Sequence, residues 1–274
     1  YMRDILDLDR FPLDQPDAAA FAALVEDCQR KLARDGLFNL PGFVRADALA
    51  PAVSTLVPRI EAEAFTHRRA HNIYFKARVD GLDDGHPALH KLETVNHTLC
   101  ADQLGDTLLA SLHEYPPFIA FLAAVMGKDV LYPMADALAR INVMAYNAGE
   151  ALNWHFDRSE FTTTLLLQAP VAGGTFEYAQ DLRSDTDPNY DGVAKLLTGQ
   201  GPKVAMPLEA GTLNVFRGKN TAHRVTPVQG ARARVGGDAP GAGSDGGGRR
   251  HAAVSRMRGR VGVDVRCVVV VRRC

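Results

Sequence analysis

Two short segments of the chain contain residue types that bind metal ions. His155 and Asp157 are separated by one residue, and His223 lies 68 residues after His155. Alternate residues of a β-strand point to the same face, so a strand through positions 155–157 would project an imidazole and a carboxylate to one side. A neighbouring strand carrying His223 would add a second imidazole. We therefore predict that His155, Asp157 and His223 are metal ligands and, through the metal, the catalytic residues.

The residues around this triad predict the elements that must hold it. Short runs of β-branched and apolar residues, separated by Gly, Pro and Asp, indicate a barrel or sandwich. Strands are expected at residues 139–146, 161–168, 174–178, 203–207, 212–216 and 223–228. The first third of the chain has apolar residues at helical spacing, which predicts helices at residues 17–35, 47–64 and 107–126. The polar segment 67–90 is expected to be a loop, with closure over the site as one role for it.

Two imidazoles and one carboxylate are the ligand set of non-haem iron(II) oxygenases. The two segments that carry this set are Trp154-His155-Phe156-Asp157-Arg158 and Thr221-Ala222-His223-Arg224-Val225. With them, residues 140–234 resemble the iron(II)/2-oxoglutarate-dependent oxygenases. The resemblance is closest to the branch of free-amino-acid halogenases and hydroxylases. The resemblance implies an α+β, mainly β fold, in which N-terminal helices pack on a double-stranded β-helix (jelly roll) core. It also implies Fe(II) as cofactor, with 2-oxoglutarate and O2 as co-substrates.

The resemblance further implies a cation for the far carboxylate of 2-oxoglutarate, about ten positions after the second histidine. A guanidinium suits this task because it binds a carboxylate through two hydrogen bonds. Arg232 is the first candidate and Arg234 the second, with solvated surface arginines as the alternative. Tyr146 is a third candidate for the co-substrate pocket.

Substrate-binding residues are harder to identify from the sequence. Arg158 follows the first histidine closely and would suit the carboxylate of a free amino acid, although it would equally suit a surface ion pair. Arg140 and Asn142 share strand parity with Tyr146 and are candidates for the same pocket, with solvent as the alternative environment. The expected partner is a small molecule.

Asp157 decides between the reactions that the resemblance implies. Halogenases of that branch have a small residue where a carboxylate would bind, which leaves a site for chloride, whereas this chain has Asp157. Hydroxylation of an aliphatic C–H bond is therefore favoured, with desaturation or cyclisation left open. The alternatives are a non-catalytic jelly-roll module that binds a metal and 2-oxoglutarate, a halogenase, or a zinc hydrolase. The last lacks an obvious glutamate base beside the triad.

Composition excludes several other classes of function. The 274 residues carry a net charge of −1, which gives no indication of a nucleic-acid or anionic-membrane partner, and no apolar run approaches the roughly 20 residues of a membrane span. Cys28, Cys100, Cys267 and Cys274 lack metal-binding or redox spacing, which favours a cytoplasmic protein. Nothing in the sequence indicates an oligomeric state.

The last segment of the chain has a different composition. Residues 235–274 contain nine Gly and eight Arg but no Leu, Ile, Phe, Tyr, Lys or Glu. The sequence therefore predicts one oxygenase domain at 1–234, with a helical scaffold at 1–135 and a jelly-roll core at 136–234, followed by an atypical tail. A jelly roll should continue as an apolar strand at this point, so we hypothesise that a reading-frame shift produced the tail.

Overall fold

The structure is a computed structural model that describes residues 1–229, apart from 133, 135 and 137, and the backbone of residues 268–273. In these parts of the chain there are six α-helices: α1 (Met2–Ile5), α2 (Ala19–Asp35), α3 (Ala46–Glu63), α4 (Leu108–His113), α5 (Pro116–Val125) and α6 (Tyr190–Leu197). Pro116 occupies the first turn of α5, so the predicted helix at 107–126 is divided in two.

The same parts of the chain contain thirteen β-strands. They are β1 (Leu37–Leu40), β2 (Phe65–His71), β3 (Leu92–Cys100), β4 (Ile141–Ala145), β5 (Leu152–His155), β6 (Phe161–Leu165), β7 (Ala172–Gly173), β8 (Phe176–Ala179), β9 (Val204–Met206), β10 (Leu213–Phe216), β11 (Ala222–Val225), β12 (Val228–Gln229) and β13 (Val268–Arg273).

The described strands form two principal antiparallel sheets. The major sheet has seven strands in the order β1-β10-β6-β13-β4-β3-β2, and the minor sheet has four in the order β5-β11-β8-β9. A short third sheet pairs β12 with β7. Helices packed on a mainly antiparallel β-core confirm the predicted α+β jelly-roll class.

Strand alternation divides the major sheet into a core face and a cavity face. In β4, Ile141, Val143 and Ala145 are buried in the main hydrophobic cluster, together with aromatic residues such as Phe118 and Phe121 of α5. Each fully buried aromatic side chain contributes roughly 1.5–3 kcal/mol through the hydrophobic effect. The helices therefore anchor one face of the sheet, and the other face is left for the site.

Residues 1–135 contribute more than the expected helical scaffold, because β1, β2 and β3 all join the major sheet. The expected loop at 67–90 begins inside β2, whose seven residues pair with β3 from Phe65 opposite Thr98 to His71 opposite Leu92. Residues on both faces of β2 are largely polar, so β2 lacks the apolar alternation that identifies a half-buried strand.

The atypical tail also contributes a strand to the structure. The backbone of β13 pairs with β4 on one side and with β6 on the other. An additional apolar strand was expected directly after residue 234, beside the strand that carries His223. β13 instead lies further along the chain and in the major sheet, between β4 and β6. Residues 230–267 lie outside the described part of the chain.

Among the described residues, no helix combines the length and the apolar character needed to cross a membrane.

Candidate metal centre and cavity

Neighbouring strands of the minor sheet bring the two histidines together. His155 is the last residue of β5, and its partner in the antiparallel register of β11 is His223. The pairing shifts register between His223 and Val225, so the ladder is irregular directly beside the site. The two imidazole rings have their centroids 4.2 Å apart.

Asp157 lies just beyond the end of β5 and is held by the segment that connects β10 to β11. Its backbone N–H donates to the carbonyl of Gly218 at 2.9 Å. Its Oδ2 accepts a hydrogen bond from the Thr162 hydroxyl on β6. A Cβ atom on Gly218 would lie 2.5 Å from both Asp157 Oδ2 and Thr162 Oγ1, so the carboxylate is cradled against a residue without a side chain.

One ligand atom from each of His155, Asp157 and His223 lies within 4.8 Å of the others. Asp157 Oδ1 is 3.7 Å from His155 Nε2, and its Oδ2 is 3.4 Å from His223 Nε2. The three residues are only 8%, 6% and 4% exposed. Two nitrogens and an oxygen that converge in this way fit one metal ion.

Backbone carbonyls fix the tautomer of both histidines. His155 Nδ1 donates to the carbonyl of Asn153 at 2.7 Å, and His223 Nδ1 donates to that of Thr221 at 3.0 Å. Because a carbonyl only accepts, the proton of each neutral ring lies on Nδ1 and the lone pair on Nε2, which faces the carboxylate. This is the arrangement by which proteins orient metal-binding histidines.

Electrostatics favour the metal-binding protonation states of His155 and Asp157. Burial, reinforced by the adjacent His223, lowers the pKa of His155 to about 3, so this ring is neutral. Burial would raise the pKa of Asp157, but His223, His155 and the Thr162 hydroxyl outweigh it and hold that pKa well below its ordinary value. A neutral imidazole beside an ionised carboxylate is the state that binds a cation.

The triad opens into a cavity of about 480 Å³ between the two principal sheets. The cavity is large enough for a small organic molecule. Residues of β2, β3, β4, β6 and β10 line it on the major-sheet side, and residues of β5, β8 and β11 line it on the minor-sheet side. The metal ligands therefore face a cavity in which a substrate would meet them.

The structure places the other predicted site residues in three different environments. Asn142 and Arg158 line the cavity. Tyr146 and Arg140 do not: Tyr146 follows the end of β4 and is fully buried, and the Arg140 guanidinium lies 3.9 Å from Glu114. Their shared parity with Asn142 fails because both residues lie outside the regular strand, which spans Ile141–Ala145. Arg232 and Arg234 lie outside the described residues.

Strands β2 and β3 form a largely polar wall of the cavity, the β2–β3 wall, which the sequence did not predict. Alternate residues of both strands face the cavity, namely Phe65, His67, Arg69 and His71 of β2 and Thr94, Asn96 and Thr98 of β3. The sequence signal for this wall is that every second residue of each segment faces the cavity. This period of two is visible only once the segments are assigned as strands.

Thr94 connects this wall to the metal centre. Its hydroxyl donates to His71 Nε2 at 2.8 Å and accepts from the backbone N–H of Asn153 at 3.0 Å. Asn153 in turn provides the carbonyl that orients His155. The β2–β3 wall therefore helps to position β5, which carries the first ligand.

A structured turn follows β2 at the edge of the cavity. The Asn72 side chain accepts from the backbone N–H groups of Tyr74 and Lys76, which fixes the turn. Phe75, in the left-handed region at φ 55°, stacks on His71 with ring centroids 4.4 Å apart and meets His155 edge-on at 6.4 Å. The turn thus places an aromatic ring beside the metal centre.

Solved structures share the fold at low sequence identity. One is SnoN, an epimerase from nogalamycin biosynthesis, solved in complex with Fe3+, alpha ketoglutarate and nogalamycin RO. It has a TM-score of 0.52 at 13% identity, and the match covers 91% of this chain and 83% of SnoN. AviO1 from Streptomyces viridochromogenes Tue57 has a TM-score of 0.52 at 16% identity, covering 91% of this chain and 94% of AviO1. These likenesses show the fold.

A comparison with curated protein sequences gives no significant match. The family model of Halogenase D (HalD) matches residues 23–235, which include the triad, the helices α3 to α6 and the strands β1 to β12. This match confirms the resemblance to the halogenase and hydroxylase branch. On this match over most of its length, the chain belongs to the Halogenase D (HalD) family.

Proposed function

We propose that the protein is an iron(II)- and 2-oxoglutarate-dependent oxygenase that hydroxylates an aliphatic C–H bond of a small molecule, a free amino acid or a derivative of one. The observation that carries this proposal is the convergence of His155, Asp157 and His223 within 4.8 Å at the inner end of a cavity. Membership of the HalD family supports it. Fe3+ and alpha ketoglutarate in the SnoN complex identify the pair of groups to test first.

The residues present fit an iron(II) ion. His155 and His223 would bind it through Nε2, and Asp157 through its carboxylate, with both imidazoles already oriented by backbone carbonyls. Bound iron(II) would supply the activation of O2 coupled to the conversion of 2-oxoglutarate to succinate and CO2. The protein holds the substrate C–H bond beside the metal and excludes bulk water from it. Arg232, with Arg234 as the second candidate, would bind the far carboxylate of 2-oxoglutarate.

Asp157 favours hydroxylation over halogenation, although the family is named for a halogenase. Its carboxylate occupies the ligand position that a halide would need. It is also fixed from two directions, by the Thr162 hydroxyl and by the Gly218 carbonyl. Desaturation and cyclisation need the same metal centre and are distinguished by the product.

Zinc hydrolysis is the weaker alternative. A hydrolase needs a general base beside the metal-bound water. Among the described residues that line the cavity, Asp157 is the only carboxylate, and as a metal ligand it is not free to act as that base.

The test is succinate formation by the full chain from 2-oxoglutarate in air, with iron(II) and ascorbate, across a panel of free amino acids. Substrate-stimulated succinate and a product heavier by one oxygen atom are expected. Asp157→Ala is the control and should abolish both signals.

Two other outcomes would reject the proposal. A folded, iron-loaded protein that binds 2-oxoglutarate but releases no succinate with any amino acid is a binding module. A chlorinated product in the presence of chloride would identify a halogenase despite Asp157.

A further inference from the structure

We propose that the opening of the cavity recognises carboxylates, so that the substrate is an anionic small molecule such as an acidic amino acid, bound by Arg69 and Arg158. This inference names the substrate class of the proposed oxygenase and therefore rests on that function. Its first support is the charge of the cavity wall. The described lining residues include two arginines and, beyond the three metal ligands, no carboxylate.

Arg69 lies in the β2–β3 wall and faces the cavity. Its guanidinium lies over the Phe75 ring, 5.1 Å from the centroid, and no carboxylate of the described residues lies within ion-pair distance. The adjacent Arg68 points to the opposite face of β2, where it pairs with Glu93 at 2.9 Å. The strand thus pairs its outward arginine and keeps the inward one available for a ligand.

Arg158 lies in the connection between β5 and β6. It follows Asp157 directly and is exposed while lining the cavity, which places it at the opening. Glu160 is the first acidic residue after Arg158 in the chain, and it pairs with Lys128 at 2.9 Å. Within the described residues, Arg158 has no ion-pair partner of its own.

Two available guanidinium groups at one cavity select for negative charge. Each can bind a carboxylate through two parallel hydrogen bonds. An ammonium group on a substrate side chain would be repelled by both, and the described wall offers it only Asp157, which is held as a metal ligand. Neutral hydrogen-bonding groups on Asn96 and Asn142 line the same cavity and suit the remaining polar atoms of an amino acid.

The experiment measures binding separately from turnover. The full chain, loaded with Mn2+ and 2-oxoglutarate without O2, is titrated calorimetrically with L-aspartate, L-glutamate, L-asparagine, L-glutamine and L-lysine. We expect one of the two acidic amino acids to bind at least about tenfold more tightly than its amide or L-lysine. Arg69→Gln and Arg158→Gln should each weaken that binding about 10- to 100-fold, because each removes a charge-assisted pair. Arg68→Gln, the neighbour on the opposite face, is the matched control and should leave it unchanged.

Three results would overturn the inference. The first is that L-lysine or an amide binds as tightly as the acidic amino acids, and the second is that neither acidic amino acid binds. The third is that an arginine substitution weakens the binding of 2-oxoglutarate instead of the binding of the amino acid. Succinate assays on the same samples then separate the two proposals. Arginine-dependent binding of an acidic amino acid without succinate release rejects the oxygenase and retains the anion site. Succinate release driven by L-lysine retains the oxygenase and rejects the anion site.

Discussion

The inner end of the cavity and its opening differ in how completely their polar groups are partnered. At the inner end, His155, Asp157 and His223 are buried, and the Asn153 carbonyl, the Thr162 hydroxyl and the Thr221 carbonyl each fix one of them. At the opening, Arg69 and Arg158 are exposed and lack acidic partners among the described residues.

This difference reflects two physical requirements. A metal centre needs ligands held to within a fraction of an ångström, so their remaining hydrogen-bonding atoms are satisfied by the protein. A recognition surface needs charge that stays available until the ligand arrives. The inner end is therefore expected to tolerate few substitutions, whereas the opening should tolerate change and alter specificity.

The largest effect is expected from Asp157→Ala, which removes the anionic ligand. Two neutral imidazoles alone bind iron(II) weakly, so affinity should fall by more than the about 10- to 100-fold typical of losing an outer partner of a ligand. Iron titration followed by spectroscopy measures the affinity, and succinate release measures turnover. Iron affinity equal to that of the unchanged protein would contradict the assignment of Asp157.

Gly218→Ala tests the cradle behind that carboxylate. The added Cβ would lie 2.5 Å from Asp157 Oδ2 and from Thr162 Oγ1, so the carboxylate must move. We expect about 10- to 100-fold weaker iron binding, with a loss of stability of about 1–3 kcal/mol from overpacking.

Gly85→Ala is the matched control for Gly218→Ala, since its Cβ would meet nothing closer than 3.8 Å. Thermal unfolding separates the stability loss from the metal effect. If the folded Gly218→Ala protein bound iron as tightly as the Gly85→Ala protein, the cradle would have no role.

The inner end was largely predictable from the sequence, because its signals are local. His155 and Asp157 stand at i and i+2, and a strand was expected at His223. β5 was not among the expected strands, and it ends at His155, so Asp157 lies just beyond it. The structure then brings the three ligand atoms within 4.8 Å. The long-range pairing of β5 with β11 was an inference from chemistry that periodicity alone does not give.

The opening was far less predictable, because it depends on sequence-distant contacts. Arg69 becomes a cavity residue only when β2 pairs with β3 and β3 pairs with β4. Arg140 and Tyr146 lie one residue past each end of β4, so strand parity with Asn142 does not bring them into the cavity lining. The roles of Arg232 and Arg234 stay predictions.

Thr162→Val tests a smaller part of the inner end. The substitution keeps the shape of the side chain and removes the hydroxyl that donates to Asp157 Oδ2. Iron affinity should fall about tenfold, at the lower end for an outer partner. Thr162→Ser retains the donor and should restore most of the affinity, a rescue that a purely steric role of Thr162 would not produce.

Phe75→Ala tests the boundary between the two ends of the cavity and should have the smallest effect. Phe75 stacks on His71, meets His155 edge-on and lies beneath the Arg69 guanidinium. Removing the ring should raise the KM for the substrate about 2- to 10-fold, the range expected from one lost aromatic contact. Iron affinity should not change, because the carbonyl of Asn153 and the Thr94 hydroxyl still hold β5 and His155. A loss of iron affinity without a change in KM would show that Phe75 supports the metal centre instead. Phe75 would then belong to the fixed inner end of the cavity and not to its adaptable opening.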